Sequence, residues 1–105
     1  MIDIEGIKDV MESIVSEYRA YREQMECRSP DFIFDNALRI TAWSCIYLYL
    51  TESIVDADTL FGLYEKTRGH ILCELVDFYF DAEDYNIAVE SDVRLLVSDF
   101  LQFSE

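Results

Sequence analysis

The stretch FIFDNALRITAWSCIYLYL (residues 32–50) contains the most apolar segment of this chain, and it gives the first indication of the fold. Residues 42–50 are apolar nearly all round a helix. A helix with almost no polar face lies at the centre of a protein, because every side of it gains from contact with other helices. We therefore predict a central buried helix here, with Trp43 and Cys45 as core residues.

The first segment of the chain has the pattern of an amphipathic helix. Its apolar residues recur at alternating spacings of four and three, as in a heptad repeat. They are Ile7, Met11, Ile14, Tyr18, Tyr21 and Met25. A seam of this regularity packs against another helix, and the sequence allows that helix to lie within the chain or in a second copy.

Capping signals divide the middle of the chain into further helices. Ser29-Pro30-Asp31 predicts a helix start, with a hydroxyl cap, proline at the first helical position and an acid in the first turn. Asp56 or Asp58 is expected to cap a third helix, which Gly69 interrupts near its end.

The remaining third of the chain contains two more helices in this interpretation. One begins at about His70, and another is capped by Ser91. Residues 86–90 between them are expected to be extended. The fold class is therefore all-α, with residues 1–105 forming a single domain built as a compact bundle of four to five helices.

Charge restricts the function more than any motif does. The 105 residues include 22 acids and 8 bases, for a net charge of −14. Residues 74–105 hold nine acids and one base, so eight of those net charges lie in under a third of the chain. Nucleic acid and anionic membranes would be repelled, whereas basic proteins would be attracted.

The first residues, the length of the apolar runs and the cysteines indicate the cellular location of the protein. MIDIEGIKD, at the start, lacks the basic and apolar regions of a signal peptide, and no apolar run has the length of a membrane span. Cys27, Cys45 and Cys73 are odd in number and have no CxxC spacing, so they indicate neither a disulfide framework nor a zinc site. These features predict a cytoplasmic protein.

The acids of the helix near His70 are expected to form a line. At about 100° per residue, Glu74, Asp77 and Asp81 fall within a narrow arc that also contains His70. Phe80 projects beside that line. We predict that these acids and Phe80 bind a partner, together with Glu83 and Asp84 in the following turn.

Catalytic and metal-binding patterns fit this sequence poorly. Asp56-Ala57-Asp58-Thr59 resembles a phosphatase nucleophile motif, but its Thr is one position early, and the segment also lacks the Gly and Glu of an EF-hand. The face of His70 lacks the Glu-x-x-His pairs of di-iron bundles, and no orienting acid accompanies His70 and Cys73 as a base and nucleophile. We expect neither an enzyme, nor a metal site, nor a cofactor.

Two functions are compatible with these features. In the first, the protein is a non-enzymatic inhibitor that occupies the nucleic-acid site of a basic protein and so acts as a DNA mimic. In the second, it is an acidic helical scaffold or adaptor that forms a homodimer through its first helix.

The apolar rhythm of FIFDNALRITAWSCIYLYL, followed by DTLFGLYEKTRGHILCELVDFYFD, resembles a family of short, uncharacterised helical proteins of phages and mobile elements of gut bacteria. In size, charge and helical character the chain is also similar to anti-CRISPR proteins. That similarity implies a CRISPR effector, an RNA-guided nuclease, as the partner. It implies no site residue, because those inhibitors share a strategy rather than a motif.

Overall fold

The protein is all-helical in the computed structural model, which describes residues 4–53, 55–82 and 85–103. Those residues contain no strand and form six helices, one more than the upper number predicted. The helices are α1 (Ile4–Glu26), α2 (Pro30–Asp35), α3 (Ala37–Glu52), α4 (Ala57–Thr67), α5 (Ile71–Ala82) and α6 (Glu90–Gln102).

The sixth helix results from a break at Asn36. The segment after Ser29 was expected to be one helix, but α2 ends and α3 begins at this residue, whose φ and ψ are −110° and 18°. Its side-chain Nδ2 donates to the carbonyl of Phe32 at 2.8 Å. Asparagine competes with the helical backbone in this way. The predicted start at Ser29 is confirmed, because its Oγ accepts the N–H of Phe32.

Helix α3 lies at the centre of the bundle and packs against α1, α2, α5 and α6. Trp43 is confirmed as a core residue, with only 6% of its surface exposed, and Ile46 is fully buried. Cys45 is only half-buried, which corrects its assignment to the core. The correction shows that one side of α3 is less covered than its apolar sequence suggests.

The heptad face of α1 packs within the chain. Ile14 is fully buried, and the helix contacts α3, α4 and α5. Two aromatic stacks join α1 to α3, Tyr18 on Tyr47 at 4.1 Å and Tyr21 on Trp43 at 4.0 Å between ring centroids. Ile7, Met11, Tyr18 and Tyr21 are partly buried against the same core, so a homodimer through this seam would compete with contacts that it already makes within the chain.

The segment expected to be extended near residues 86–90 is a turn instead. Asn86 causes the difference, because its Oδ1 accepts the N–H of Ala88 at 3.0 Å and its carbonyl accepts the N–H of Val89. Asn86 also donates its own N–H to a carboxylate oxygen of Asp92 at 2.8 Å. Asparagine side chains commonly stabilise turns through such bonds.

Helix α6 consequently begins two residues earlier than predicted. Val89 occupies the N-cap position, and Ser91 lies in the first turn rather than at the cap. At the start of α4 the prediction is confirmed for Asp56, whose Oδ1 accepts the N–H of Thr59 at 2.8 Å. Hydrogen bonds from the side chain and from the backbone of Thr59 lower the pKa of Asp56.

The junction between α4 and α5 is a tight left-handed turn. Arg68 ends α4 with a φ of 54°, and Gly69 follows with a φ of 90°. Glycine adopts this conformation without the steric cost of a Cβ atom, so Gly69 permits the turn directly after α4, at the place where the interruption was predicted. The turn joins α4 to α5, and the start of α5 lies against α1.

Glu17 of α1 caps the start of α5. Its two carboxylate oxygens accept the N–H groups of Leu72 and Cys73, each at 2.8 Å. The first N–H groups of a helix have no partner within the helix, so this carboxylate satisfies two of them from a distant part of the chain. Burial raises the pKa of Glu17, although the two hydrogen bonds and His70 act in the opposite direction.

None of the helices in the described ranges has the length and apolar character that crossing a membrane requires.

We expect Glu17→Ala to lower the free energy of unfolding by about 1–2 kcal/mol, since two N–H groups at the start of α5 lose their acceptor. Urea unfolding followed by circular dichroism measures this. Glu12→Ala, which removes an exposed acid from the same helix, is the matched control and should change stability by less than about 0.5 kcal/mol. Equal stability of the two variants would contradict the capping role.

The stability of the wild type relative to Glu17→Gln should increase as pH falls from 7 toward the ordinary pKa of a glutamate. A raised pKa in the folded state means that folding favours the protonated form, so this contribution is greatest at low pH and is lost as pH rises through the raised pKa. Urea unfolding at several pH values measures the difference. A difference that shrinks at low pH would show the opposite shift.

Candidate partner-binding groove

The acids predicted to form a line do share an exposed face of α5. Glu74, Asp77 and Asp81 are exposed, whereas Ile71 and Leu75 are fully buried. The three acids are spaced by three and four residues, which is about 10.5 Å along the helix axis from the first to the last. The capping of α5 by Glu17 and the turn at Gly69 fix the direction in which this face points.

The three carboxylates form one side of an open groove of about 800 Å³ between the ends of α5 and α6. We call it the acidic groove. The residues lining it are Lys66, Glu74, Asp77, Phe78, Asp81, Ala82, Phe100 and Phe103. Residues from three helices and from the chain end after α6 therefore meet at the stripe of acids.

Three phenylalanines give the acidic groove an aromatic surface. The ring of Phe78 meets Phe100 edge-on at 5.5 Å and Phe103 at 5.6 Å between centroids. Such edge-to-face pairs hold rings in defined orientations. Phe100 is buried, but 52% of Phe103 is exposed, so part of this aromatic surface is open to a binding partner.

Lys66 is the basic residue of the acidic groove, and its charge is already engaged. Its ammonium group donates to the carbonyls of Phe100 and Phe103, at the end of α6. It also lies 4.8 Å from the centre of the Phe100 ring. A cation is favourable at the carbonyl end of a helix, so Lys66 stabilises this end of α6 and holds Phe103 over the groove.

Asp77 differs from the other two acids because it has an internal partner. Arg39 of α3 forms a salt bridge with it at 3.0 Å, and the Arg39 guanidinium also lies 5.0 Å from the centre of the Phe80 ring. Both charged side chains are substantially exposed, so the pair contributes little to stability. It does reduce the charge that Asp77 offers to a partner. Within the described ranges, Glu74 and Asp81 have no ion-pair partner.

The structure separates Phe80 from the acidic groove. Phe80 is half-buried beside Arg39 and meets the ring of Tyr79 at 5.1 Å. The other two predicted site residues, Glu83 and Asp84, lie outside the described residues. Of the predicted set, the groove therefore brings together Glu74, Asp77 and Asp81.

Sequence reasoning missed the residues that complete the groove. Phe78, Phe100, Lys66 and Phe103 were not among the residues predicted to bind a partner. No sequence pattern indicates that a lysine near the end of α4 lies close to an aromatic residue after α6. Their proximity depends on the crossing of α4, α5 and α6, which the periodicity of a single helix does not define.

The surroundings of the neighbouring thiol, Cys73, disfavour its thiolate form. Burial raises the pKa of Cys73, and the charges of Asp77 and Glu17 raise it further, so the thiol form is favoured. A cysteine nucleophile requires the thiolate. Within the described ranges no three His, Cys, Asp or Glu side chains are placed to hold a metal ion.

Comparison with known proteins yields no family model, no curated protein and no solved structure that matches this chain.

Replacing Phe103 and Phe100 separately should distinguish the open part of the groove from the core. We expect Phe103→Ala to change the free energy of unfolding by less than about 1 kcal/mol, because its ring is half exposed. Phe100→Ala should cost about 3–5 kcal/mol, the usual cost of truncating a buried phenylalanine. Urea unfolding of both variants checks this, and equal losses would mean that Phe103 is as well packed as Phe100.

Proposed function

We propose that the protein is a non-enzymatic inhibitor that binds a basic, nucleic-acid-handling protein through the acidic groove and occupies its nucleic-acid site. The observation that carries this proposal is the combination of exposed carboxylates and an accessible aromatic surface in one groove. An RNA-guided nuclease, which would make the protein an anti-CRISPR, is the most concrete partner.

The groove chemistry suits arginine and lysine side chains. Their charged ends would pair with Glu74 and Asp81, while their apolar stems would lie on Phe78 and Phe103. Arginine also stacks favourably on aromatic faces. A nucleic-acid site is rich in such side chains because they neutralise phosphates.

The charge density supports partial rather than complete mimicry of a duplex. The protein is 48 Å long, and B-DNA of that length carries about 28 charges, at one per ~1.7 Å. The net charge of −14 is half of that. Along α5 the carboxylates recur about every 5 Å, compared with 3.4 Å along one DNA strand. The stripe therefore approximates a single strand more closely than a duplex.

The alternative role as an adaptor that dimerises through α1 has less support, because most of the heptad face of that helix already packs, at least in part, against the core.

The test is Glu74→Gln combined with Asp81→Asn, assayed by pull-down against RNA-guided nucleases, restriction enzymes and other DNA-binding proteins. We expect at least tenfold weaker binding of the captured partner, or about 1.4 kcal/mol, since two interface charges are lost. Binding of the wild type should weaken with added salt and with excess duplex DNA. Fold stability should be unchanged, because neither side chain has an internal partner in the described ranges.

The matched control is Glu12→Gln combined with Glu23→Gln, which changes the net charge equally at exposed positions of α1. This variant should bind like the wild type. If both variants lose affinity equally, only overall charge matters and the groove is not the site. Capture of neutral or acidic partners alone would contradict the proposal altogether.

A further inference from the structure

Arg39 shows how helix α5 holds a guanidinium group. The residue reaches from α3 to Asp77 of α5, with 3.0 Å between its Nη1 and a carboxylate oxygen. The same guanidinium lies 5.0 Å from the centre of the Phe80 ring, three residues further along α5. One arginine therefore contacts a carboxylate and an aromatic ring together, because residues three or four positions apart are neighbours on the surface of a helix.

The acidic groove contains a second pairing of acids with a phenylalanine on the same helix. Glu74 is followed four residues later by Phe78, and Asp81 comes three residues after that ring. All three residues line the groove. Phe78 is half-buried, as Phe80 is, and both acids are exposed. On the helix surface Phe78 is thus the neighbour of two carboxylates, as Phe80 is the neighbour of Asp77.

No basic side chain of the described residues occupies this second pairing. Neither Glu74 nor Asp81 has an ion-pair partner there, and no cation lies over the Phe78 ring. The ammonium group of Lys66 lies in the groove, but it donates to main-chain carbonyls at the end of α6. The pairing of Glu74 with Phe78 is therefore available to a basic side chain of a partner.

The chemistry of the two basic side chains favours arginine at this place. A guanidinium is flat, so it donates two parallel hydrogen bonds to a carboxylate and stacks on a ring, and it is more weakly hydrated than an ammonium group. Lysine carries a compact and strongly hydrated charge. Each is used accordingly in this molecule: Arg39 contacts a carboxylate and a ring, whereas Lys66 bonds to carbonyl oxygens beside the Phe100 ring.

We propose that the acidic groove selects arginine over lysine, with an arginine of the partner paired with Glu74 and placed on the ring of Phe78. The charge of Asp81, on the next turn, adds to the attraction. This inference rests on the proposed function in one respect, that the groove is where the partner binds. It adds that the partner presents arginine there, and that Phe78 determines the preference.

The test uses hexa-arginine and hexa-lysine peptides, which carry equal charge, labelled with fluorescein for anisotropy titrations of the full chain. We expect the wild type to bind hexa-arginine at least about fivefold more tightly, because only arginine combines the ring contact with a bidentate ion pair. Phe78→Leu keeps an apolar side chain but removes the ring, and should bring the two affinities to within about twofold of each other. Phe61→Leu makes the same exchange at a half-buried position of α4 outside the groove, and should keep the wild-type ratio.

The ratio of the two affinities separates recognition from stability, since a loss of folded protein lowers both affinities together. Glu74→Gln should also lower the ratio, whereas Glu12→Gln, at an exposed position of α1, should not. Equal binding of both peptides by the wild type, or the same preference in Phe78→Leu as in Phe61→Leu, would overturn the inference.

Failure of this inference and failure of the proposed function give different results. A captured nucleic-acid-handling protein together with equal binding of the two peptides would refute only the arginine preference. A preference for hexa-arginine that depends on Phe78, without capture of any such protein, would refute only the proposed function.

Discussion

The burial of α3 between α1, α5 and α6 is the constraint on which the rest of this structure depends. Because α3 is apolar on nearly every side, it orders the other helices around it through contacts such as the stack of Trp43 on Tyr21. Helix α1 is held on one side by its heptad face, and from there Glu17 reaches the start of α5. The orientation of α5, and so of its acids, follows from that chain of contacts.

Some charged side chains at the acidic groove are held by contacts within the protein, and others are available to a partner. Arg39 and Lys66 both stand near the stripe, yet each is held internally, one by Asp77 and the other by the carbonyl end of α6. These two cations position the acids and the aromatic surface without neutralising Glu74 or Asp81. A partner rich in arginine would therefore meet a site that is already organised, which reduces the entropy lost on binding.

Much of the architecture could be predicted from the sequence, because it depends on local signals. The all-helical class, the start at Ser29, the cap at Asp56 and the exposed face of Glu74, Asp77 and Asp81 follow from periodicity and capping chemistry within a few residues. The errors occurred where side chains acted on the backbone. Asn36 divided one expected helix into two, and Asn86 turned a segment expected to be extended.

Tertiary structure alone decided which of these features come together. It packed most of the α1 heptad face against the core, it paired Asp77 with Arg39, and it brought Lys66, Phe78 and Phe103 to one groove. It also left Leu38 and Leu48 of α3 exposed, although the sequence predicted a buried helix. The physical reason is that a helical pattern gives the direction of each side chain about its own axis, whereas the crossing of helices far apart in sequence determines what that side chain meets.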